Sequence, residues 1–315
     1  MTRDVFATAD TRCQRRDNGA LVLTLEQPRP SITSDVLDAF ERAVGIAEQD
    51  AAALVIASAG DTFAFGADLG DAFAATIAGQ PDVLDRALDR YQRVMLRLRH
   101  AKVPTVAAVR GVAVSGGCEV LMHCTRVVAH AGSHIGLFEP SVGVIPGGGG
   151  LKEFARRAAD AQDPGLAVAR AFKRVAASTI AAAADAQRLG FLTELDRVDS
   201  TNPLEEAVEV GLALRAAGHT PPPPNPTFAV VGRHTEERLC ESQRALHRDG
   251  AIGAHQLEIN TRIAKVLCGG DAPGATRTEA DLLALERKHF LVLAQMQPTQ
   301  DRLLHMRDTG RPLAN

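Results

Sequence analysis

Residues 111–124 read GVAVSGGCEVLMHC. Val112, Ala113 and Val114 form a short apolar stretch that runs into Ser115-Gly116-Gly117, and a helical pattern opens at the two glycines and continues through Cys124. The unit is strand, turn, helix. Backbone N–H groups at a helix start have no intrahelical acceptor and carry positive potential, so they suit an oxygen atom that gains negative charge. Glu119 falls in the first turn, close to the same spot. Acidic residues favour first turns on electrostatic grounds as well, so a capping or solvated glutamate also accounts for it. Its apolar neighbours Val114, Val120 and Leu121 argue against free solvation.

Outward from this stretch the chain shows short strands and intervening helices. Apolar runs at 20–25, 54–58 and 105–109 have strand length, and the latter two are apolar enough to be buried on both faces. Shorter strands are expected at 126–129 and 134–137. Helical spacing of Val36, Phe40 and Val44 begins at Ser34, which is expected to cap it. Further helices are expected over about 81–100, from Lys152, and after Asn202-Pro203-Leu204-Glu205, where Asn is the expected cap and Pro the first helical residue. This β-β-α rhythm predicts an α/β domain. Pro221 to Pro224 are consecutive and must be extended, so a boundary is placed there. Residues 1–18 read as a ragged leader, expected to be partly disordered, 19–220 as the core, and 221–315 as a helical region with only helical patterns in 226–308.

Two further segments carry chemistry. Phe65-Gly66-Ala67-Asp68-Leu69 follows the strand at 54–58. Glycine in such a turn allows a backbone N–H to face a cleft, although the segment alone also reads as an ordinary surface turn. Ile135-Gly136-Leu137-Phe138-Glu139-Pro140 precedes Gly143-Val144-Ile145-Pro146 and four glycines at 147–150. Glu139 is a lone acid in an apolar, glycine-rich stretch, which suits proton donation near neutrality; a strand-end carboxylate bonded to loop amides is the alternative. The glycines at 147–150 match neither the dinucleotide fingerprint nor the P-loop.

Taken together, these three segments resemble the crotonase (enoyl-CoA hydratase/isomerase) superfamily over about residues 18–198. The resemblance implies a crotonase-type ββα spiral with a helical C-terminal region. It implies an oxyanion hole from the amides of Ala67 and Gly116, catalytic carboxyls at Glu119 and Glu139, and substrate contacts from Phe65, Gly66, Asp68, Leu69, Gly117, Pro146 and Gly147. The implied reaction is reversible hydration of 2-enoyl-CoA to 3-hydroxyacyl-CoA. Other chemistries of the superfamily, double-bond isomerisation and thioester hydrolysis, share the fold and the oxyanion hole. A structural subunit that kept the fold without activity is the non-enzyme alternative. No metal or redox cofactor is implied, because CoA arrives as part of the substrate. A homo-oligomer, with a trimer favoured, follows from the same resemblance.

The segments Leu267-Cys268-Gly269-Gly270-Asp271, Leu285-Glu286-Arg287 and Gly310-Arg311-Pro312-Leu313 resemble the end of bacterial fused β-oxidation proteins. In those, a 3-hydroxyacyl-CoA dehydrogenase region precedes the crotonase-like one. The present chain shows no nicotinamide fingerprint, so a separate dehydrogenase is the expected partner and the chain is expected to be a separated or excised hydratase-like part. Three departures from the superfamily pattern stand out. Residues 28–32 (PRPSI) lack the asparagine-centred pattern near the CoA adenine end, Arg110 replaces a small polar residue, and Ser115 stands where a third glycine is common.

Composition excludes other classes. The 315 residues carry a net charge of −3 and no tryptophan, which gives no footprint for nucleic acid. The start lacks the apolar stretch of a signal peptide, and no apolar run approaches the roughly 20 residues of a membrane span. Five scattered cysteines make no disulfide framework, which fits a reducing, cytoplasmic setting. Cys118, His123 and Cys124 lack a second cluster at zinc-like spacing, and Cys118 and Cys124 read as small core residues.

Overall fold

The computed structural model describes residues 2–271 and 275–315; within the leader and the C-terminal region of the sequence reading, Met1 and residues 272–274 lie outside the described residues. The strands are β1 (Thr2–Ala7), β2 (Thr11–Arg16), β3 (Leu21–Leu25), β4 (Leu54–Ser58), β5 (Thr62–Ala64), β6 (Thr105–Val109), β7 (Val112–Val114), β8 (Arg126–His130), β9 (His134–Gly136), β10 (Ile180–Ala182), β11 (Arg197–Ser200), β12 (Thr227–Ala229) and β13 (Thr276–Thr278). The helices are α1 (Ser34–Asp50), α2 (Gly70–Ile77), α3 (Pro81–Arg99), α4 (Gly116–His123), α5 (Gly150–Ala159), α6 (Pro164–Ala176), α7 (Ala183–Arg188), α8 (Pro203–Ala216), α9 (Gly232–Arg248), α10 (Ala254–Leu267), α11 (Glu279–Ala294) and α12 (Gln297–Thr309). No helix of the described residues is long and apolar enough to cross a membrane. The chain forms two compact units, one of residues 1–68, 93–136 and 180–224, the other of 69–92, 137–179 and 225–315. The proline run therefore ends one segment of the first unit, but the second unit also takes two earlier segments that composition does not mark.

The first unit holds both large sheets. One runs in the order β1-β2-β3-β4-β6-β8-β11 and the other β10-β9-β7-β5. From β3 to β11 the first sheet is parallel, with Val22 beside Val55 and Val55 beside Val106. One face, with Val22, Val55, Val106 and Val128, packs on Ala207 and Val208 of α8. Helix α1 lies against β3 and β4 and buries Val36, Phe40 and Val44. Both faces of the central strands are covered, which is why β4 and β6 read as unbroken apolar runs. Each fully buried Val, Leu or Phe there contributes roughly 1.5–3 kcal/mol of transfer free energy.

Several local expectations change. The leader is not disordered over the described residues: β1 and β2 form an antiparallel pair that extends the sheet beyond β3. Thr11 and Cys13 point inward, while Arg12 is held by Asp4 and Glu26, so polar alternation carried a strand that looked like a tail. The cap of α1 is Thr33, whose hydroxyl accepts from the Val36 amide, rather than Ser34. Asn202 holds the cap position of α8 without a side-chain capping bond.

The second unit is mainly helical. Its β12 and β13 form a small antiparallel ribbon, so the 226–308 region is not helical throughout. Thr278 and Asp281 form a capping box at the start of α11, which fixes where the ribbon ends and the helix begins.

Candidate active site

In the first unit, β5 delivers the chain into residues 65–68. That segment pairs with the 28–32 segment: Phe65 N–H donates to the Pro30 carbonyl (2.9 Å), Ile32 N–H to Gly66 (2.7 Å) and Asp68 N–H to Ile32 (3.1 Å). In this parallel bridge the residue opposite Ile32 turns its own N–H away from the partner. That residue is Ala67, and its N–H donates to no acceptor among the described residues. The atypical 28–32 segment thus aims the Ala67 amide. Arg29 sets its guanidinium 5.5 Å from the Phe65 ring centroid, and Phe65 is 40% exposed.

The helix start lies beside this loop. Ser115 adopts φ 53°, ψ −127°, a conformation that glycine takes far more readily, which explains the preference for a third glycine in the resemblance. Its N–H is tied to the Gly136 carbonyl at 2.9 Å. A β-carbon on Gly66 would lie 3.1 Å from the Ser115 β-carbon and 3.4 Å from the Gly116 nitrogen, so the two turns are in contact. Glu119, one turn into α4, is 3% exposed, and every residue of that helix is buried. The His123 Nδ1–H donates to the Glu119 carbonyl at 2.7 Å, which makes the imidazole a helix-end group. Of the residues singled out in the sequence, Phe65, Gly66, Ala67, Asp68, Gly116, Gly117 and Glu119 all belong to this unit.

Leu69, Glu139, Pro146 and Gly147 belong to the second unit. Leu69 precedes α2 at its cap position. Glu139 opens a 3₁₀ turn over Glu139–Val142 and is buried. Pro146 and Gly147 are buried, and Gly147 packs against Phe290 and Leu88. The glycine run that follows is held by side chains the sequence did not announce. Gln92 donates to the Gly147 carbonyl (2.8 Å) and to that of Leu283 (3.0 Å). Glu286 accepts from the Gly149 and Lys152 amides at 2.7 and 2.6 Å, capping α5 from another helix. The fully buried Lys152 ammonium lies 2.6 Å from Glu153 and 3.2 Å from Glu279. The one sequence signal was a Lys-Glu pair one residue past the glycine run.

The enoyl-CoA hydratase/isomerase family model matches residues 15–214. A probable 3-hydroxyacyl-CoA dehydrogenase of Bacillus subtilis is 29% identical over 290 residues; these cover 90% of this chain but only 37% of that protein. A 2,3-dehydroadipyl-CoA hydratase of Escherichia coli is 29% identical over 246 residues, 77% of this chain and 86% of that one. A crystal structure of an enoyl-CoA hydratase from Rhodobacter sphaeroides shares the fold, with a TM-score of 0.67 at 17% identity over 98% of this chain and 92% of that one. With well over half of the chain inside the family match and the loop–helix contact in place, this chain belongs to the enoyl-CoA hydratase/isomerase family, the crotonases.

Proposed function

We propose that this chain adds water reversibly to a 2-enoyl-CoA, giving a 3-hydroxyacyl-CoA. The observation that carries the reading is the contact between the Gly66-Ala67 loop and the Ser115-Gly116 helix start, with buried Glu119 in the adjacent turn. The amides of Ala67 and Gly116 bind the thioester oxygen as it gains enolate character; one such donor is worth roughly 3–4 kcal/mol of barrier. Glu119 takes a proton from water as its oxygen bonds to the β-carbon. Glu139 gives a proton to the α-carbon as the double bond is consumed. Proton exchange with solvent then resets both carboxyls. The reaction needs no metal and no redox cofactor. A homo-oligomer, with a trimer favoured, and a cytoplasmic setting belong to the same reading, supported by the family membership and by five free cysteines.

A dehydrogenase acting separately completes the sequence by oxidising the 3-hydroxyl group. The B. subtilis relative named for that activity is far longer than the segment matched here. A coupled assay tests this reading. With 2-enoyl-CoA and NAD, NADH is expected only after a 3-hydroxyacyl-CoA dehydrogenase is added. NADH from this chain alone, or none with the dehydrogenase present at any acyl length, contradicts it.

A further inference from the structure

The turn that carries Glu139 is gripped at two carbonyls by a buried polar cluster from the C-terminal helices. Arg302 of α12 donates from Nη1 to the Pro140 carbonyl at 2.8 Å. Thr299, one turn earlier, donates its hydroxyl to the Gly143 carbonyl at 2.7 Å. Pro140 directly follows Glu139, and Gly143 ends the turn, so both grips hold the turn on the C-terminal side of the acid. Gly143 has φ +95°, and a β-carbon there would lie 2.8 Å from the Thr299 Cα, so the helix backbone sits hard against the turn.

The grips are themselves held. The Thr299 hydroxyl has one proton, and it goes to Gly143. The His255 Nε2 at 2.9 Å must therefore donate to Thr299, which fixes the neutral ring with its proton on Nε2. Burial, with the Arg302 charge adding to it, lowers the His255 pKa and favours that neutral ring. Arg302 also donates to the side chains of Gln256 and Asn315, at 2.9 and 2.8 Å. Thr299 is fully buried, and Arg302 and His255 nearly so. A buried guanidinium aimed at a loop carbonyl is costly unless its geometry is held, so this cluster specifies one conformation of the turn rather than merely tolerating it.

We propose that Thr299 and Arg302 are positioning residues for the Glu139 carboxyl, with His255 fixing the Thr299 hydroxyl. The proposal rests on the hydratase reading above and makes α10 and α12 part of the proton-donating apparatus. A carboxyl displaced by about 1 Å loses up to roughly 100-fold in rate, while binding of the thioester is little affected.

Thr299→Val removes the hydroxyl and keeps the shape; Thr299→Ser keeps the hydroxyl. With crotonyl-CoA as substrate, Thr299→Val should lower kcat by about 10- to 100-fold with KM within about 3-fold, and Thr299→Ser should restore most of it. In a Glu139→Gln background Thr299→Val should cost almost nothing more, because the group it positions is gone. Arg302→Lys, whose single ammonium does not reproduce the guanidinium fork that holds Pro140, Gln256 and Asn315 together, serves as the second probe if Thr299→Val fails to fold; it should lower kcat on its own and cost almost nothing more in the Glu139→Gln background. If Glu139→Gln abolishes turnover while Thr299→Val and Arg302→Lys leave kcat unchanged, or multiply with it in full, the positioning role is wrong and the hydratase reading stands. If the wild type hydrates no enoyl-CoA, or Glu139→Gln turns over normally, both fall together.

Discussion

A β-carbon on Gly117 would lie 2.4 Å from the carbonyl oxygen of Ala64, the last residue of β5. Strand and helix start therefore touch backbone to backbone, next to the contact between Gly66 and the Gly116 nitrogen. Gly117→Ala should push α4 away from β5. The expected loss is about 1–3 kcal/mol of stability and at least about 100-fold in kcat, read by denaturant unfolding and by steady-state hydration of crotonyl-CoA. Wild-type kcat in this variant contradicts the assignment.

Ser115 bears the opposite signature, a side chain in backbone territory that suits glycine. Such strain costs about 1–3 kcal/mol, against roughly 0.5–1 kcal/mol for the extra freedom of glycine in the unfolded chain. Ser115→Gly should stabilise the protein by about 1 kcal/mol. Ser115→Ala, which keeps a β-carbon, should bring no gain. Both are checked by the midpoint of guanidinium unfolding.

Glu286 is a buried carboxylate that satisfies two amides at the start of α5. Glu286→Ala leaves those donors without an acceptor and should cost about 2–5 kcal/mol. Glu286→Gln retains one acceptor oxygen and should fall between. Equal unfolding midpoints for wild type and Glu286→Ala would show that the cap is dispensable.

The pH dependence of stability follows from His289. Burial, then the charges of Arg262, Lys265 and Lys288, lower its pKa from 6.5 to about 4, with Asp271 opposing. Arg262 donates to its Nδ1 at 2.9 Å, which fits a neutral ring. Because the folded pKa lies below the unfolded one, the unfolded state binds more protons between pH 6.5 and 4. Stability is thus fully present above pH 6.5 and is lost as pH falls toward 4. His255, lowered mainly by burial, adds in the same direction. Unfolding midpoints should drop steadily between pH 7 and 5, and His289→Gln should flatten that slope.

Elements built on one-dimensional pattern were legible. The wholly apolar β4 and β6 follow from burial on both faces, and the glycine pair before Glu119 marks the start of α4. The β1–β2 pair was not legible. It buries only Phe6, Thr11 and Cys13, and its remaining side chains are exposed or partly buried, Arg12 among them in ion pairs at the surface. The β12–β13 ribbon was equally hidden, since strands of three residues bury little and leave no period to read. The resemblance implies a role for the Ala67 amide, but the pairing of its loop with Pro30 and Ile32 is a contact between segments more than thirty residues apart. The supports of the glycine-rich turn were beyond reach for the same reason. Glu286 acts on amides 134 and 137 positions away, and nothing local distinguishes it from a solvated helix glutamate.

The most direct measurement is the decay of the enoyl-thioester absorbance of crotonyl-CoA and of longer enoyl-CoAs, with wild-type protein and with Glu119→Gln. The account predicts a decay to equilibrium with wild type for at least one chain length, and a rate lowered by several orders of magnitude in a folded Glu119→Gln variant. An unchanged absorbance with wild type at every chain length, or an undiminished rate in Glu119→Gln, would contradict it.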